Sequence, residues 1–165
     1  METAYIKTPL GIAKIIGDEK GISVVSVSDE GEICSASSLS LGSTIIPIVL
    51  QEAVLQLNEY FEEKRTDFTF KLNPSGTEFQ QKVWKGLLEI PFGKTMSYME
   101  LSKKLGDVKA IRAVASANGK NPLWIVVPCH RVIGTNGSLT GYAGGLWRKK
   151  WLLEHENPAK QQSLL

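Results

Sequence analysis

The stretch 97-SYMELSKKLGDVKAIRAVASANGKNP-122 predicts a helix-turn-helix in the second half of the chain. Helix-forming residues cover 97–105, a break with a glycine follows at 106–108, and a second helix is expected over 109–118. Gly119 stands where helices commonly end. The fold of this half is therefore expected to be built around two short, closely connected helices.

The second helix of this pair has two unlike faces. Ile111, Val114 and Asn118 share one side, on which Ile111 and Val114 would pack inward. The opposite side is expected to present small residues and a single long cation: Ala113, Ser116, Ala117 and Arg112. A face of small residues can lie against a nucleic-acid backbone and insert one arginine. On this pattern alone, an exposed arginine on an alanine-rich helix is the alternative interpretation.

The first part of the chain predicts a small sheet with a helix. Runs of β-branched residues at 4–8, 11–17 and 21–28 are separated by turn sequences, so they predict a three-stranded antiparallel meander. Apolar residues at three- and four-residue steps between Ile46 and Phe61 predict an amphipathic helix that covers one face of the sheet. Residues 29–45 are serine-rich and predict no element.

Two further helices are predicted from capping and periodicity. Thr77 opens one of them, and Gln80 is placed to complete a capping box. Its buried stripe is expected to contain three residues: Phe79, Val83 and Leu87. The other is expected over 146–156, after the glycine-dense loop 134–145.

These elements predict an α/β fold of the α+β kind in two domains. Residues 1–74 would form the three-stranded antiparallel sheet with its helix, and residues 75–165 a helical, winged-helix-like domain that contains the helix-turn-helix.

The composition, 42% hydrophobic and 22% charged, is that of a soluble globular protein. No apolar run approaches the ~18 residues of a membrane span, and the start lacks a secretory signal. Two cysteines predict no disulfide framework, so a reducing cytoplasm is expected.

The charges are divided unevenly between the two halves. Residues 1–75 carry six Lys/Arg and eleven Asp/Glu, a net −5, whereas residues 76–165 carry thirteen and six, a net +7. This asymmetry indicates that the second half alone faces a polyanion. A chance excess on a solvated surface is the alternative.

The segment 126-VVPCHRVIG-134 places Cys129, one of two cysteines, directly before His130, one of two histidines. A histidine that takes the thiol proton, itself oriented by a carboxylate, raises the fraction of nucleophilic thiolate. Residues 125–127 are expected to form a buried strand that ends at Cys129, so contact between the two side chains requires a turn or a bridging water. The alternatives are a small core thiol, a zinc site, whose spacings are not matched, and a Cys-His-Glu hydrolase, for which no oxyanion donors are identified.

The second half closely resembles the O6-alkylguanine-DNA alkyltransferases, or methylated-DNA–protein-cysteine methyltransferases. The resemblance is carried by 121-NPLWIVVPCHRVIGTNGSLTGYAGG-145, with 91-PFGKTMSYMEL-101 and 110-AIRAVASANGKNP-122 before it and 151-WLLEHE-156 after it. It covers roughly residues 75–157 strongly. The first half matches only in its order of strands and helix, and the resemblance implies a ribonuclease-H-like domain there.

The resemblance implies a suicide repair reaction. Cys129 would attack the alkyl carbon on O6 of a damaged guanine in duplex DNA, form a thioether and act only once, with no cofactor or metal. Whether O4-alkylthymine is also a substrate is left open by the sequence. Some relatives hold a structural zinc in the first domain, but this chain lacks the cysteines and histidines to build that site.

The same resemblance implies roles for individual residues. His130 would activate the thiol through a water, and Glu156 would orient and charge that histidine; the sequence alone leaves Glu154 and Glu156 open, and the family spacing selects Glu156. Asn121 would shape the active-site turn. Tyr98 would donate a hydrogen bond to the guanine ring and rotate its phosphate during base flipping.

Arg112 resembles the arginine that fills the gap left by the flipped nucleotide, with the helix-turn-helix in the minor groove. Backbone groups near Val132 and Ala143 resemble those that hold the guanine edge.

Two departures from the family pattern bear on the site. Ala115 replaces a glycine that many relatives have on the recognition helix, and Trp124 replaces a smaller residue beside the pocket, which puts DNA docking and tolerance for bulky alkyl groups in doubt.

Two other functional classes remain at this point. A helix-turn-helix protein that senses lesions without removing them would retain its function without Cys129. A hydrolase would turn over many times. The resemblance favours a single-use monomer that needs no protein partner and has no contact with a membrane.

Overall fold

The computed structural model describes residues 1–29, 45–139 and 141–158. The chain divides into two units, Met1–Ser75 and Gly76–Leu165, which are described separately below. The loop expected at 29–45 lies almost wholly outside the described residues, and so does Cys34.

The first unit is a three-stranded antiparallel sheet in the order β1-β2-β3, as predicted. The strands are β1 (Glu2–Thr8), β2 (Gly11–Asp18) and β3 (Gly21–Ser28). Alternate residues on the strands are buried and form one side of the core, as the alternation of their side chains requires. Helix α1 (Ile48–Phe61) packs on this sheet through residues at helical spacing: Leu50, Ala53, Val54, Leu57 and Tyr60. It begins after Pro47, which is its N-cap and not part of its first turn.

A short connector, residues 71–73, pairs with the free edge of β3. Ile22 exchanges backbone hydrogen bonds with Lys71 and Asn73, which pairs the connector parallel to the strand. Gly21 precedes this contact with φ +134°, and a Cβ there would lie 2.9 Å from the carbonyl oxygen of Lys71. Only glycine accepts both that dihedral angle and that approach.

The second unit is mainly helical. Its elements are α2 (Glu78–Leu87), β4 (Met96–Ser97), α3 (Tyr98–Lys104), α4 (Ile111–Gly119), β5 (Val132–Ile133) and α5 (Leu146–Glu156). The predicted capping box of Thr77 and Gln80 is present at the start of α2. Ser97 and Glu100 form a second one, so α3 begins after Ser97 and not at it.

The helix-turn-helix is formed by α3 and α4, with a longer turn than expected. Gly106 turns the chain with φ +97°, and a single 3-10 turn over Val108–Ala110 delays the second helix to Ile111. Asp107 caps that turn by accepting a hydrogen bond from the Lys109 amide. Gly119 belongs to α4 and is not the residue after it.

Two expectations about buried faces of the second unit are wrong. Phe79 remains 38% exposed, while Trp84 is buried and fills the space between α2 and α4. The Trp84 indole nitrogen donates to the carbonyl of Ala117 at 2.9 Å. Ala117 is buried because it lies three residues after Val114 and so shares the buried side of α4. The DNA-facing surface proposed from sequence therefore keeps Arg112, Ala113 and Ser116, all of which are exposed, and loses Ala117.

The strand expected over 125–127 does not form. Residues 122–128 make a series of tight turns, in which Ile125 has φ +74° and the Val127 amide bonds back to the carbonyl of Leu123 at 2.9 Å. The segment is buried as predicted, and its described backbone hydrogen bonds are mostly local, with one β-bridge at Leu123. The parallel pair β4 and β5 then brings the start of α3 beside the residues that follow Cys129.

Candidate active site

Cys129 lies in a 3-10 turn, Cys129–Arg131, that opens on a cavity of about 500 Å³. The thiol-bearing residue is 4% exposed. The cavity walls come from the helix-turn-helix, the cysteine turn and the glycine-dense loop: Tyr98, Ala115, Asn118, Gly119, Cys129, Gly141, Tyr142 and Ala143. A buried sulfur that faces a cavity of this size can react only with a group that enters it.

The protein keeps the resting thiol protonated. Burial raises the pKa of Cys129 to about 11, although hydrogen bonds from the side chains of Asn121 and Tyr142 and the positive charge of Lys149 all act to lower it. At neutral pH such a thiol is almost entirely un-ionised. A base must therefore remove its proton as it attacks.

His130, the residue after Cys129, is held in place by Glu156, and its role as that base stays a prediction. The Nε2 atom of the buried imidazole lies 2.7 Å from Oε2 of Glu156. The opposite nitrogen, Nδ1, is also buried and has no hydrogen-bond partner within the described ranges. If the Nε2–H group donates a hydrogen bond to the carboxylate, the imidazole is neutral and Nδ1 keeps its lone pair. Nδ1 can then accept the thiol proton.

Arg131 fixes the same carboxylate from the other side. Its Nε and one terminal nitrogen donate to the two oxygens of Glu156 at 2.8 and 3.0 Å, and its other terminal nitrogen donates to the carbonyl of Ile90 at 2.6 Å. Burial alone would raise the pKa of the Glu156 carboxyl, but the attraction and hydrogen bond of His130, together with Arg131, hold that pKa well below its usual range. Glu156 is thus kept ionised beside the imidazole. Glu154 takes part in none of these contacts.

Asn121 organises the turns that lead to the cysteine. Its amide nitrogen donates to the carbonyls of Val127 and Leu123 at 2.8 and 3.3 Å, and its oxygen accepts from the Leu123 amide at 2.9 Å. The side chain therefore replaces the strand partners that this segment lacks. The sequence-based expectation that Asn121 shapes the turn agrees with this geometry.

Lys149 and Tyr142 are two site residues that the sequence reasoning missed. Burial lowers the pKa of Lys149 to about 8, against the attraction of the Cys129 thiolate. Burial, followed by the charge of Cys129, raises the pKa of Tyr142 well above its ordinary value. The sequence held a signal for Lys149, because helical spacing places this lysine on the side of α5 that is buried.

The two backbone groups expected at the guanine edge lie in different surroundings. Ala143 lines the cavity and is exposed. Val132 is fully buried behind it, and its carbonyl accepts a hydrogen bond from Nζ of Lys149 at 2.7 Å. Their roles toward a base remain predictions.

The two departures from the family pattern occupy different layers of the site. Ala115 lies on the cavity surface. Trp124 packs behind the wall, with its ring centroid 5.8 Å from that of Tyr142. Gly144 lies between the two rings, since a Cβ there would come within 3.0 Å of Trp124 and 2.8 Å of Tyr142. Trp124 therefore buttresses Tyr142 instead of filling the cavity.

Arg112 is exposed on α4, the helix whose residues Ala115, Asn118 and Gly119 line the cavity. One helix thus carries both the predicted DNA-inserting cation and part of the wall around Cys129. Within the part of the chain that the structure describes, no helix is long and apolar enough to cross a membrane, and no group of three or more His, Cys, Asp or Glu residues could hold a metal.

The sequence matches the family profiles for both domains of 6-O-methylguanine DNA methyltransferase: the ribonuclease-like domain over residues 1–74 and the DNA binding domain over residues 78–158. The chain belongs to this family. A methylated-DNA–protein-cysteine methyltransferase of Methanosarcina acetivorans is 44% identical over 157 residues, which cover 94% of this chain and 98% of that protein.

Solved structures of this family share the fold. The crystal structure of Mycobacterium tuberculosis O6-methylguanine methyltransferase is 42% identical with a TM-score of 0.80, and the match covers 95% of this chain and 93% of that one. The structure of Mycobacterium tuberculosis OGT in complex with DNA is 40% identical with a TM-score of 0.81, and covers 100% and 99% of the two chains. The predicted α+β fold is confirmed by this agreement over both halves.

Proposed function

We propose that this methyltransferase repairs DNA by moving the alkyl group of an O6-alkylguanine onto its own Cys129. The sulfur attacks the alkyl carbon, the carbon–sulfur bond forms, and the bond between that carbon and O6 breaks with its electron pair going to the base. His130 takes the thiol proton through Nδ1 and a bridging water, and the base gains one proton from water through the Tyr98 hydroxyl, so that guanine leaves uncharged. The His130 imidazolium then returns its proton to water, and the number of protons is conserved. No step breaks the thioether, so each molecule acts once.

The surrounding residues supply what this displacement needs. Glu156, held ionised by Arg131, stabilises the imidazolium that forms on His130. Asn121 holds the cysteine turn, and the positive charge of Lys149 favours the thiolate as it develops. A low dielectric constant around the buried sulfur strengthens each of these interactions.

The damaged base must leave the helix to reach Cys129, because the sulfur lies inside a cavity that duplex DNA cannot enter. We assign docking to α4, whose exposed face of Ala113 and Ser116 can enter the minor groove while Arg112 replaces the flipped nucleotide. The net +7 of residues 76–165 supplies sequence-independent attraction to phosphates.

Residues 75–165 are in this proposal the DNA-binding and alkyl-acceptor domain, and residues 1–74 a ribonuclease-H-like domain. We also propose that the protein acts as a monomer in the cytoplasm, since a protein that reacts only once needs no second subunit for turnover. O4-alkylthymine offers the same alkyl–oxygen bond and is a second substrate for the same assay.

One observation carries the proposal. The helix that presents Arg112 to solvent also lines the cavity that holds Cys129, through Ala115, Asn118 and Gly119. A protein that only sensed lesions would need a cavity but no base-activated sulfur. Here the cavity ends on a cysteine next to a histidine held by an ionised carboxylate.

The test is the number of guanines restored per protein molecule. The protein is mixed with an excess of duplex DNA that carries one O6-methylguanine, and restored guanine is counted after the reaction stops. The proposal predicts one guanine per protein, and none for Cys129→Ser. Tight binding with no restored guanine would instead indicate a lesion sensor, and continued restoration would indicate a catalyst with turnover.

A further inference from the structure

Asn118 is a buried polar residue of the cavity to which the resemblance assigns no role. It lies on α4, is 4% exposed, and lines the cavity together with Tyr98 and Cys129. Its amide nitrogen is 3.3 Å from the Tyr98 hydroxyl oxygen and 3.4 Å from the backbone carbonyl oxygen of Cys129. The amide oxygen is buried and has no hydrogen-bond partner among the residues that the structure describes.

The carbonyl of Cys129 fixes which way this amide faces. A carbonyl oxygen can only accept a hydrogen bond, so the amide atom beside it must be the NH₂ group. The reverse orientation would place two oxygens together and leave both hydrogens of the amide without these partners. The NH₂ group therefore donates one hydrogen to Cys129 and the other to the Tyr98 hydroxyl.

This arrangement determines the direction of the Tyr98 hydroxyl. A phenol oxygen that accepts from Asn118 must direct its own proton elsewhere. Within residues 1–29, 45–139 and 141–158, no other hydrogen bond engages this hydroxyl group, and Tyr98 lines the cavity. The proton is thus free for a ligand in the cavity.

We propose that Asn118 is a positioning residue that makes the Tyr98 hydroxyl an obligatory donor to the flipped base. This inference rests on the proposed function and adds a group that acts through Tyr98. A donor aimed at the ring stabilises the electron pair that the base receives as the alkyl–oxygen bond breaks. If the hydroxyl could instead donate to a protein acceptor, that stabilisation would be lost.

The test variant is Asn118→Asp, which keeps the shape of the side chain. Its carboxylate has no hydrogen to donate, and it would accept the Tyr98 proton and draw it away from the base. Tyr98→Phe removes the proton altogether. Asn58→Asp on α1 is the matched control, because it makes the same chemical change at a partly exposed position of the first unit.

The readout is the single-turnover rate constant for methyl transfer at saturating protein, measured for wild type, both single variants and the double variant. Each single variant is expected to be slower by about tenfold or more, the range for loss of a hydrogen bond to developing charge. Since both act on one donor, the double variant should be no slower than the slower single variant. Affinity for the lesion duplex, measured in a Cys129→Ser background, should stay within about threefold because the lost bond acts in the transition state.

A purely structural role for Asn118 would give a different pattern. The two losses would then multiply in the double variant, and that result would overturn the inference, as would a wild-type rate for Asn118→Asp. If Asn118→Asp does not fold, Asn118→Leu takes its place, and the effect of Tyr98→Phe must shrink in that background. If wild-type protein transfers methyl groups but the losses multiply, this inference alone fails; if wild-type protein transfers none, the proposed function fails with it.

Discussion

Replacing Glu156 with glutamine tests the buried ion-pair network that supports His130. Glu156→Gln keeps the size of the side chain and removes its charge. The Arg131 guanidinium, whose side chain is 7% exposed, would then be left buried without a counter-ion, and His130 would lose the carboxylate 2.7 Å from Nε2. Removing one partner of a buried ion pair commonly costs about 3–5 kcal/mol, because the remaining charge is uncompensated.

We expect the free energy of unfolding of residues 76–165 to fall by about 3 kcal/mol, the lower end of that range, because an amide oxygen still accepts one hydrogen bond. At a slope of roughly 1.5 kcal/mol per molar urea, the midpoint would move down by about 2 M. The four tryptophans all lie in this unit, so their fluorescence reports its unfolding alone. Glu154→Gln, on the same helix, is the control, and its change should stay within about 0.5 kcal/mol.

The difference in the free energy of unfolding between wild type and Glu156→Gln should depend on pH in a definite direction. The folded-state pKa of Glu156 is held below its unfolded value, so its contribution is complete above the unfolded pKa of about 4.3 and is lost as the pH falls toward the folded pKa. The gap between wild type and Glu156→Gln should therefore be constant from pH 6 to 7, as an approximate working range, and narrow below about pH 4. Equal stability of the two glutamine variants at pH 7 would refute the network as described.

Three further variants test Lys149, Asn121 and Arg112 one at a time. Lys149→Met removes a positive charge that stabilises the Cys129 thiolate, so the reaction of Cys129 with iodoacetamide should be slower at pH 7, where Lys149 is charged; an unchanged rate would contradict this. Asn121→Ala loses three hydrogen bonds and should lower the free energy of unfolding by about 2–3 kcal/mol in urea titrations, against no measurable change for the exposed Asn136→Ala. Arg112→Ala should slow methyl transfer from duplex DNA while thermal unfolding is unchanged within about 1 °C, since the side chain is exposed.

Local sequence signals predicted the elements of both units well. β-branched runs between turns fixed the three strands, and the Thr77 capping box fixed the start of α2. Helix α5 occupies Leu146–Glu156, the predicted range, because a glycine-dense loop ends immediately before it. In each case the deciding interaction lies within a few residues of the chain, where pattern and propensity act.

Long-range packing accounts for the predictions that were wrong. Periodicity could not show that Trp84, and not Phe79, would be buried in the second unit. The turns at 122–128 look like a strand in sequence because they are apolar, yet Asn121 supplies their hydrogen bonds from outside the apolar run.

The candidate site was also predicted only in part from the sequence. The adjacent pair Cys129 and His130 was visible in the sequence, and the structure places Glu156 rather than Glu154 beside the imidazole. Arg131 is part of the quoted motif, but nothing local indicates that it reaches Glu156, which is 25 positions further along the chain. Lys149 was likewise missed, although its spacing from Leu152 and Leu153 places it on the buried side of α5.

The most direct test of the account is the mass of the intact protein after reaction with excess duplex DNA that carries one O6-methylguanine. We expect that one methyl group replaces one hydrogen on each protein molecule, that peptide mapping places it on Cys129, and that Cys34→Ser gains it equally. A protein whose mass does not change while guanine is restored, or a methyl group that maps to any residue other than Cys129, would contradict the account.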